Sequence, residues 1–416
     1  MNSREYVKTR LIFPRSTVDN WLNGKIPFAE YDPELGYLEK EHKSWDGIHG
    51  AASTYTYDKV TRARKTINYA DLPCRINTYG DSFTHCDQVS DGESWQEILA
   101  AHLGEPIRNF GCGGHSDYQM FLRMKIEESH LPSDYMVMTM YDDDHFRSLA
   151  PLQHLRNDVP PAIFHPPLPY VKVNPSKREL IECPSPAPTP EKFYNFCDLD
   201  YVHDWLKDHF ILRIMVAKWN AVAGAPEESY KDIEELAEEH GMKPAPIRTK
   251  NTLLRTVNKL LEEAAMYAGQ SIVQMAAEYA RKNRKKIIFV TAYGPNPVIA
   301  GLKPGIRLPL DEKRRPSFTY HPKFTEYMIK SGLNYVETLD EYKRRFAQSK
   351  LPVKRFLANY YVDANKFVTH HSPWGNRLMA DTIRPELVEM LDPKPSAYQA
   401  NPFERSIATG PSSRRR

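Results

Sequence analysis

Cys74-Arg75-Ile76-Asn77-Thr78-Tyr79-Gly80-Asp81-Ser82-Phe83-Thr84 is the stretch that decides the fold. Polar and apolar residues alternate from Cys74 to Tyr79, the period of a strand, and Gly80 ends it. Ser90-Asp91-Gly92-Glu93-Ser94 then offers N-cap residues for a helix through Trp95–Leu103, which Gly104 stops. Pro106-Ile107-Arg108-Asn109-Phe110 reads as the next strand, closed by Gly111-Cys112-Gly113-Gly114, and a helix from Asp117 to Ser129 follows. Tyr135–Met140 is a continuous apolar run, the pattern of a strand buried on both faces, and it ends in Tyr141-Asp142-Asp143-Asp144. Strand, helix, strand, helix, strand at this spacing predicts an α/β domain with a central parallel sheet in three α/β/α layers.

The pattern breaks after residue 150. Residues 151–196 are rich in proline (Pro160-Pro161, Pro166-Pro167, Pro184, Pro186, Pro188, Pro190), which predicts irregular chain. Residues 198–283 read as helical. Leu253, Val257, Leu260, Leu261 and Ala264, then Ile272, Met275 and Ala276, recur at helical spacing, as expected of an insertion packed on its own domain. The strand pattern resumes at Lys286–Tyr293. A helix near 322–331, a weaker strand at Asn334–Glu337 and a helix through about Leu391 complete it. The expected organisation is a polar, aromatic extension (1–72) wrapping the main domain and an α/β domain made of 73–150 and 285–393. A Pro-rich and helical insertion (151–284) interrupts that domain, and a disordered basic tail (394–416) follows it.

Bulk properties exclude several classes. The chain has 416 residues, 41% of them hydrophobic and 26% charged, as in a soluble globular protein. A net charge of +3 gives no electrostatic case for nucleic acid, and Lys313-Arg314-Arg315 and the terminal arginines read as solvated. Five widely spaced cysteines without a CxxC pair form neither a disulfide framework nor a thiolate zinc site. No apolar run is long enough for a membrane span, and the N-terminus has no apolar signal region, so a cytoplasmic protein is the expectation.

Chemistry in a parallel α/β sheet gathers beyond the carboxyl ends of the strands. Four clusters fall there: Gly80-Asp81-Ser82, Gly111-Cys112-Gly113-Gly114, Asp142-Asp143-Asp144 and the segment around His370. A serine after a strand can act as a nucleophile if a base lies within hydrogen-bond reach, and histidine is the usual base. Its attack on a carbonyl creates an oxyanion, which backbone N–H groups of a glycine turn can hold. Adjacent aspartates seldom converge on one metal ion, so the acidic turn reads as solvated. The glycine cluster lacks the full dinucleotide-binding spacing. No metal or cofactor is expected.

Gly80-Asp81-Ser82-Phe83-Thr84 resembles the first block of the SGNH (GDSL-type) hydrolase superfamily, in which the serine is the nucleophile. Asn109-Phe110-Gly111-Cys112-Gly113-Gly114 resembles the second block and puts the oxyanion glycine at Gly114. His370-His371-Ser372-Pro373-Trp374-Gly375-Asn376 resembles the last block; its register selects His370 as the base, with His371 as the neighbour. The resemblance covers about 73–148 and 285–392. It implies a flavodoxin-like SGNH fold and a serine esterase, in which the N–H groups of Ser82 and Gly114 hold the oxyanion and Asp81 positions the serine loop. The substrate would be a small acyl ester or an acylated carbohydrate. Two positions depart from the family pattern. Where the family has an oxyanion asparagine this chain has Asp143, or Asp142 if the register slips by one; either would serve only if protonated. Where the family places an acid before the histidine, this chain has Phe367 and Val368. Asp363 is then the candidate acid, and a Ser–His dyad oriented by a backbone carbonyl is the alternative. An acyltransferase using the same pair, or a binding protein that keeps the fold without catalysis, fits the same residues.

Overall fold

The computed structural model describes residues 1–141, 143–156, 164–243, 245–303, 322–363 and 369–399. Asp142, Phe367, Val368, Lys313-Arg314-Arg315 and the terminal arginines lie outside the described residues. Five strands, β1 (Ile76–Tyr79), β2 (Arg108–Asn109), β3 (Tyr135–Tyr141), β4 (Lys286–Ala292) and β5 (Tyr335–Glu337), form one all-parallel sheet in the order β2-β1-β3-β4-β5. The order reverses at β1, between β2 and β3. In doubly wound sheets the crevice at such a reversal is where ligands bind, outside the carboxyl ends of the strands.

Alternate residues of β3 and β4 feed two cores, as the two-residue period of a strand requires. Met136, Met138, Met140, Ile287 and Phe289 face one side, against Tyr118, Phe121 and Met124 of helix α3 (Asp117–His130). Val137, Ile288 and Val290 face the other, against Trp95 and Leu99 of helix α2 (Trp95–Leu103) and Leu378 and Ile383 of helix α5 (Pro373–Met390). The result is three layers, helix on sheet on helix. α2 begins where Ser94 accepts a hydrogen bond from the Glu97 N–H and stops at Gly104, whose φ of +76° favours glycine.

The insertion is built mainly on helix α4 (Lys250–Lys282), 33 residues long. Its stripe of Leu253, Val257, Leu260, Leu261, Ala264, Ile272 and Ala276 is buried in the first of the two cores, so the insertion packs on the sheet domain. Gly269 passes close to His145. A Cβ there would stand 2.5 Å from the imidazole Nδ1, so only glycine fits this approach. The Pro-rich stretch is not wholly irregular, as its composition predicts. Tyr170–Asn174 and Glu179–Cys183 form an antiparallel hairpin, and the prolines flank it at Pro166, Pro167 and Pro184 without interrupting its ladder.

The N-terminal 72 residues hold two short helices and two small hairpins, Ala29–Glu39 and His42–Tyr55. Residues 394–399 of the expected disordered tail instead include a 3₁₀ turn at Ser396–Tyr398. No helix among the described residues is long and apolar enough to cross a membrane.

Candidate active site

Ser82 is the first residue of a one-turn helix, α1 (Ser82–His85), that follows β1. Gly80 makes the turn possible, because a Cβ there would overlap Thr84 Oγ1 at 1.9 Å. Asp81 caps the turn: its Oδ1 accepts from the Phe83 N–H at 2.9 Å, and its Oδ2 lies 3.3 Å from Ser82 Oγ. The Ser82 Oγ is 2.8 Å from His370 Nε2, across a separation of 288 residues. Before α5, the segment carrying His370 is held by the Val362 N–H on the His370 carbonyl (3.0 Å), and Ser372 caps α5.

The group on the far side of the imidazole is Gln88. Its Oε1 accepts from the His370 backbone N–H at 2.8 Å and stands 3.2 Å from His370 Nδ1. The orientation of the amide follows from its other end, where Nε2 donates to the Asp46 carbonyl at 3.1 Å. With an acceptor opposite it, Nδ1 carries the proton, and Nε2 presents its lone pair to the serine hydroxyl. Gln88 has a φ of +69°, uncommon for a residue with a side chain, and its N–H donates to Tyr55 Oη at 2.7 Å. Buried Arg64 clamps the same loop through the carbonyls of Cys86 (2.9 Å) and Val89 (2.6 Å). Asp363 does not take the orienting place expected of it; its N–H donates to Thr369 Oγ1 at 3.0 Å. His371 is buried beside Tyr342 Oη at 3.0 Å, and burial with the neighbouring His370 lowers its pKa to about 3, so it belongs to the core.

If Ser82 and His370 act on acyl esters, as the sequence resemblance implies, and Gln88 fixes the tautomer, Gln88→Ala will lower kcat on a short acyl ester about 100-fold with little change in KM. Gln88→Glu will restore much of the rate and move the acid limb of the pH profile upward, because a carboxylate makes the imidazole more basic. An unchanged kcat in Gln88→Ala would remove Gln88 from the site.

The groups expected to face an oxyanion lie at the second and third strand ends. The loop after β2 is tied to the serine turn by the Cys112 N–H on the Gly80 carbonyl at 3.0 Å. Gly114 has a φ of +77°, and a Cβ there would press on Tyr37 Oη at 2.8 Å, so this position also requires glycine. Among the described residues neither the Ser82 nor the Gly114 N–H has an intramolecular acceptor, which leaves both as donors.

Asp143 was expected to serve an oxyanion only if protonated, and its surroundings stand against that condition. Its Oδ2 accepts from Arg147 Nε at 3.0 Å, one turn along, and a carboxylate in that ion pair is acceptor-only. The same guanidinium reaches Asp144 Oδ1 at 2.6 Å, Asp81 Oδ2 at 3.3 Å and the His115 carbonyl at 3.1 Å. Arg147 thus ties all three strand-end loops together. Burial raises the pKa of Asp144 and of Asp81, the charge of Asp81 adds to the rise at Asp144, and Arg147 opposes it at both.

Beside Gly114 lies a cavity of about 440 Å³, lined in part by Phe28, Tyr37, Glu39, His85, Asp87 and Gln153. At its wall, His85 is held between two carboxylates, Asp87 Oδ1 on Nδ1 at 2.5 Å and Glu39 Oε2 on Nε2 at 2.7 Å. Burial alone would keep His85 neutral. The two carboxylates outweigh it and raise its pKa to about 9, so it is a buried imidazolium at neutral pH. Among the described residues this is the one group of three metal-ligand side chains with donor atoms mutually within 4.8 Å. The carboxylates take opposite ring nitrogens, however, which is the geometry of a double ion pair and not of convergent metal ligands.

The structure joins Ser82 to His370 and Asp81, places Gly114 in the loop that Cys112 ties to Gly80, and gives Asp143 to Arg147. Sequence reasoning missed Gln88, Arg147, Arg64, Glu39 and the Asp87–His85 pair. Of these, only the four-residue spacing of Asp143 and Arg147 was a readable signal. No family model and no curated protein matches the chain.

Proposed function

We propose that this protein is a serine esterase-type hydrolase of the SGNH kind, acting on a small acyl ester or an acylated carbohydrate. The observation that carries the reading is the 2.8 Å contact between Ser82 Oγ and His370 Nε2, with the opposite ring nitrogen on an amide oxygen. His370 takes the Ser82 proton as Oγ attacks the ester carbonyl. The N–H groups of Ser82 and Gly114 receive the developing oxyanion, each such donor being worth roughly 3–4 kcal/mol. The imidazolium then gives its proton to the leaving alcohol, and an acyl-Ser82 ester remains. Gln88 holds the ring in the productive tautomer throughout. An amide is neutral, so it orients the imidazolium without the charge stabilisation an aspartate would add.

A fluorophosphonate probe tests this directly. It is expected to add one phosphonyl group to Ser82, located by peptide mass mapping, and to abolish turnover of p-nitrophenyl acetate in proportion to labelling. Turnover that persists in fully labelled protein, or a protein that stays unlabelled at Ser82, would defeat the reading.

A further inference from the structure

We propose that Asp87 holds the water that releases the acyl group from Ser82, and that its Oδ2 sets the site for hydrolysis against transfer to an alcohol. The inference rests on the serine-esterase reading above. Asp87 Oδ1 is occupied by His85 Nδ1 at 2.5 Å. Its Oδ2 has no hydrogen-bond partner among the described residues and lies 3.9 Å from His370 Nε2, the nitrogen that faces Ser82. Once Ser82 is acylated its oxygen has no proton, and Nε2 is open to the incoming nucleophile. An oxygen about 2.8 Å from both Nε2 and Oδ2 fits over that gap, with roughly a right angle between its two contacts.

Water can satisfy both acceptors, one O–H on His370 and the other on Asp87. An alcohol has a single O–H. If it gives that proton to His370, its lone pairs face an acceptor-only carboxylate. If it gives the proton to Asp87, it is not activated. Burial works against the charge on Asp87, but the hydrogen bond and charge of His85 outweigh it and hold the carboxyl below its ordinary range. Gly113 stands at the same wall: a Cβ there would meet Glu39 Oε1 at 2.6 Å and Asp87 Oδ2 at 3.1 Å. Asp87, Gly113 and Gly114 also line the 440 Å³ cavity, which gives water a way in.

In the step itself, the water oxygen bonds to the acyl carbon and one water proton moves to His370 Nε2. The carbon–Oγ bond then breaks, His370 returns the proton to Ser82 Oγ, and a carboxylic acid leaves. In Asp87→Asn, a neutral amide replaces the acceptor-only carboxylate that opposes an alcohol's lone pairs.

The test is rapid-quench turnover of p-nitrophenyl acetate by the full chain, with and without methanol, read with intact mass and acetate-to-methyl-acetate product ratios. For Asp87→Asn, the p-nitrophenol burst is expected to stay within about twofold of wild type while the steady-state rate falls about tenfold or more. Acetyl-enzyme should accumulate, and the methyl acetate share should rise about tenfold. The proposal is overturned if burst and steady state fall together without acetyl-enzyme, or if the product ratio does not move in Asp87→Asn. Failure of the esterase reading looks different: no variant, nor the wild type, would carry acetyl on Ser82.

Discussion

Ser82→Ala is expected to lower kcat/KM on p-nitrophenyl acetate by about 10⁴–10⁶-fold. On the serine-esterase reading proposed above, the size follows from the division of labour in the site. The variant loses the only atom that can form the acyl-enzyme, but it keeps the Ser82 and Gly114 N–H groups and the pocket. What survives is therefore the rate that a preorganised oxyanion site gives to attack by water, on the order of 10³-fold over solution. The fold should be unaffected. Among the described residues Ser82 Oγ makes only the His370 contact at 2.8 Å and a long one to Asp81 at 3.3 Å, and α1 is capped by Asp81, not by Ser82. Thermal unfolding within about 2 °C of wild type is the control. His370→Ala should lose a similar factor, and the double variant should lose little more, because nucleophile and base act as one unit. Additive losses in the double variant would mean that Ser82 and His370 do not work in one step. A Ser82→Ala protein with wild-type turnover would remove the nucleophile altogether.

How much of this was legible in the sequence depends on the reach of each interaction. The parallel sheet was readable because β3 and β4 are continuous apolar runs buried on both faces, and because Ser94 and Gly104 mark the ends of a helix with local chemistry. The hairpin at Tyr170–Cys183 was hidden because proline clusters on either side dominate the composition, although its own alternation of Tyr170, Val171, Lys172 and Val173 is strand-like. Ser82 was readable because it follows a strand and opens a helical turn, and His370 because the segment before α5 resembles the last SGNH block. Gln88 was not. A neutral amide carries no motif, and its role depends on a left-handed backbone held by Tyr55 and Arg64 from the N-terminal segment. The condition set on Asp143 was open for a related reason. Counted along β3 it falls at the oxyanion position, but whether it can donate is decided by Arg147, one helical turn away.

That turn of helix carries the second large effect. Arg147→Met should destabilise the protein by about 3–5 kcal/mol, the usual result of removing one partner from a buried ion pair. The guanidinium faces Asp144, Asp143 and Asp81, whose side chains are at most 7% exposed, and Met fills much of its volume while leaving all three without their shared cation. The sign of the pH dependence follows. Burial already raises the pKa of Asp144 and Asp81 above the unfolded value, and Arg147 is the cation that opposes it. Without it both pKa values rise further. A folded-state pKa above the unfolded one contributes stability that is fully present below the unfolded pKa, near 4, and is lost as pH rises through the folded pKa. The deficit of Arg147→Met relative to wild type should therefore be small at pH 4.5 and large at pH 8, as measured by urea unfolding at the two values. Asp81 also caps the serine turn, so the variant should lose activity at pH 8 before it loses its fold, as the carboxylates repel one another and the turn shifts. A deficit that is equal at both pH values would mean that Arg147 contributes packing and not charge. A deficit below about 1 kcal/mol at pH 8 would mean that the three carboxylates are neutralised in some other way, and the account of Asp143 as an ionised partner of Arg147 would go with it.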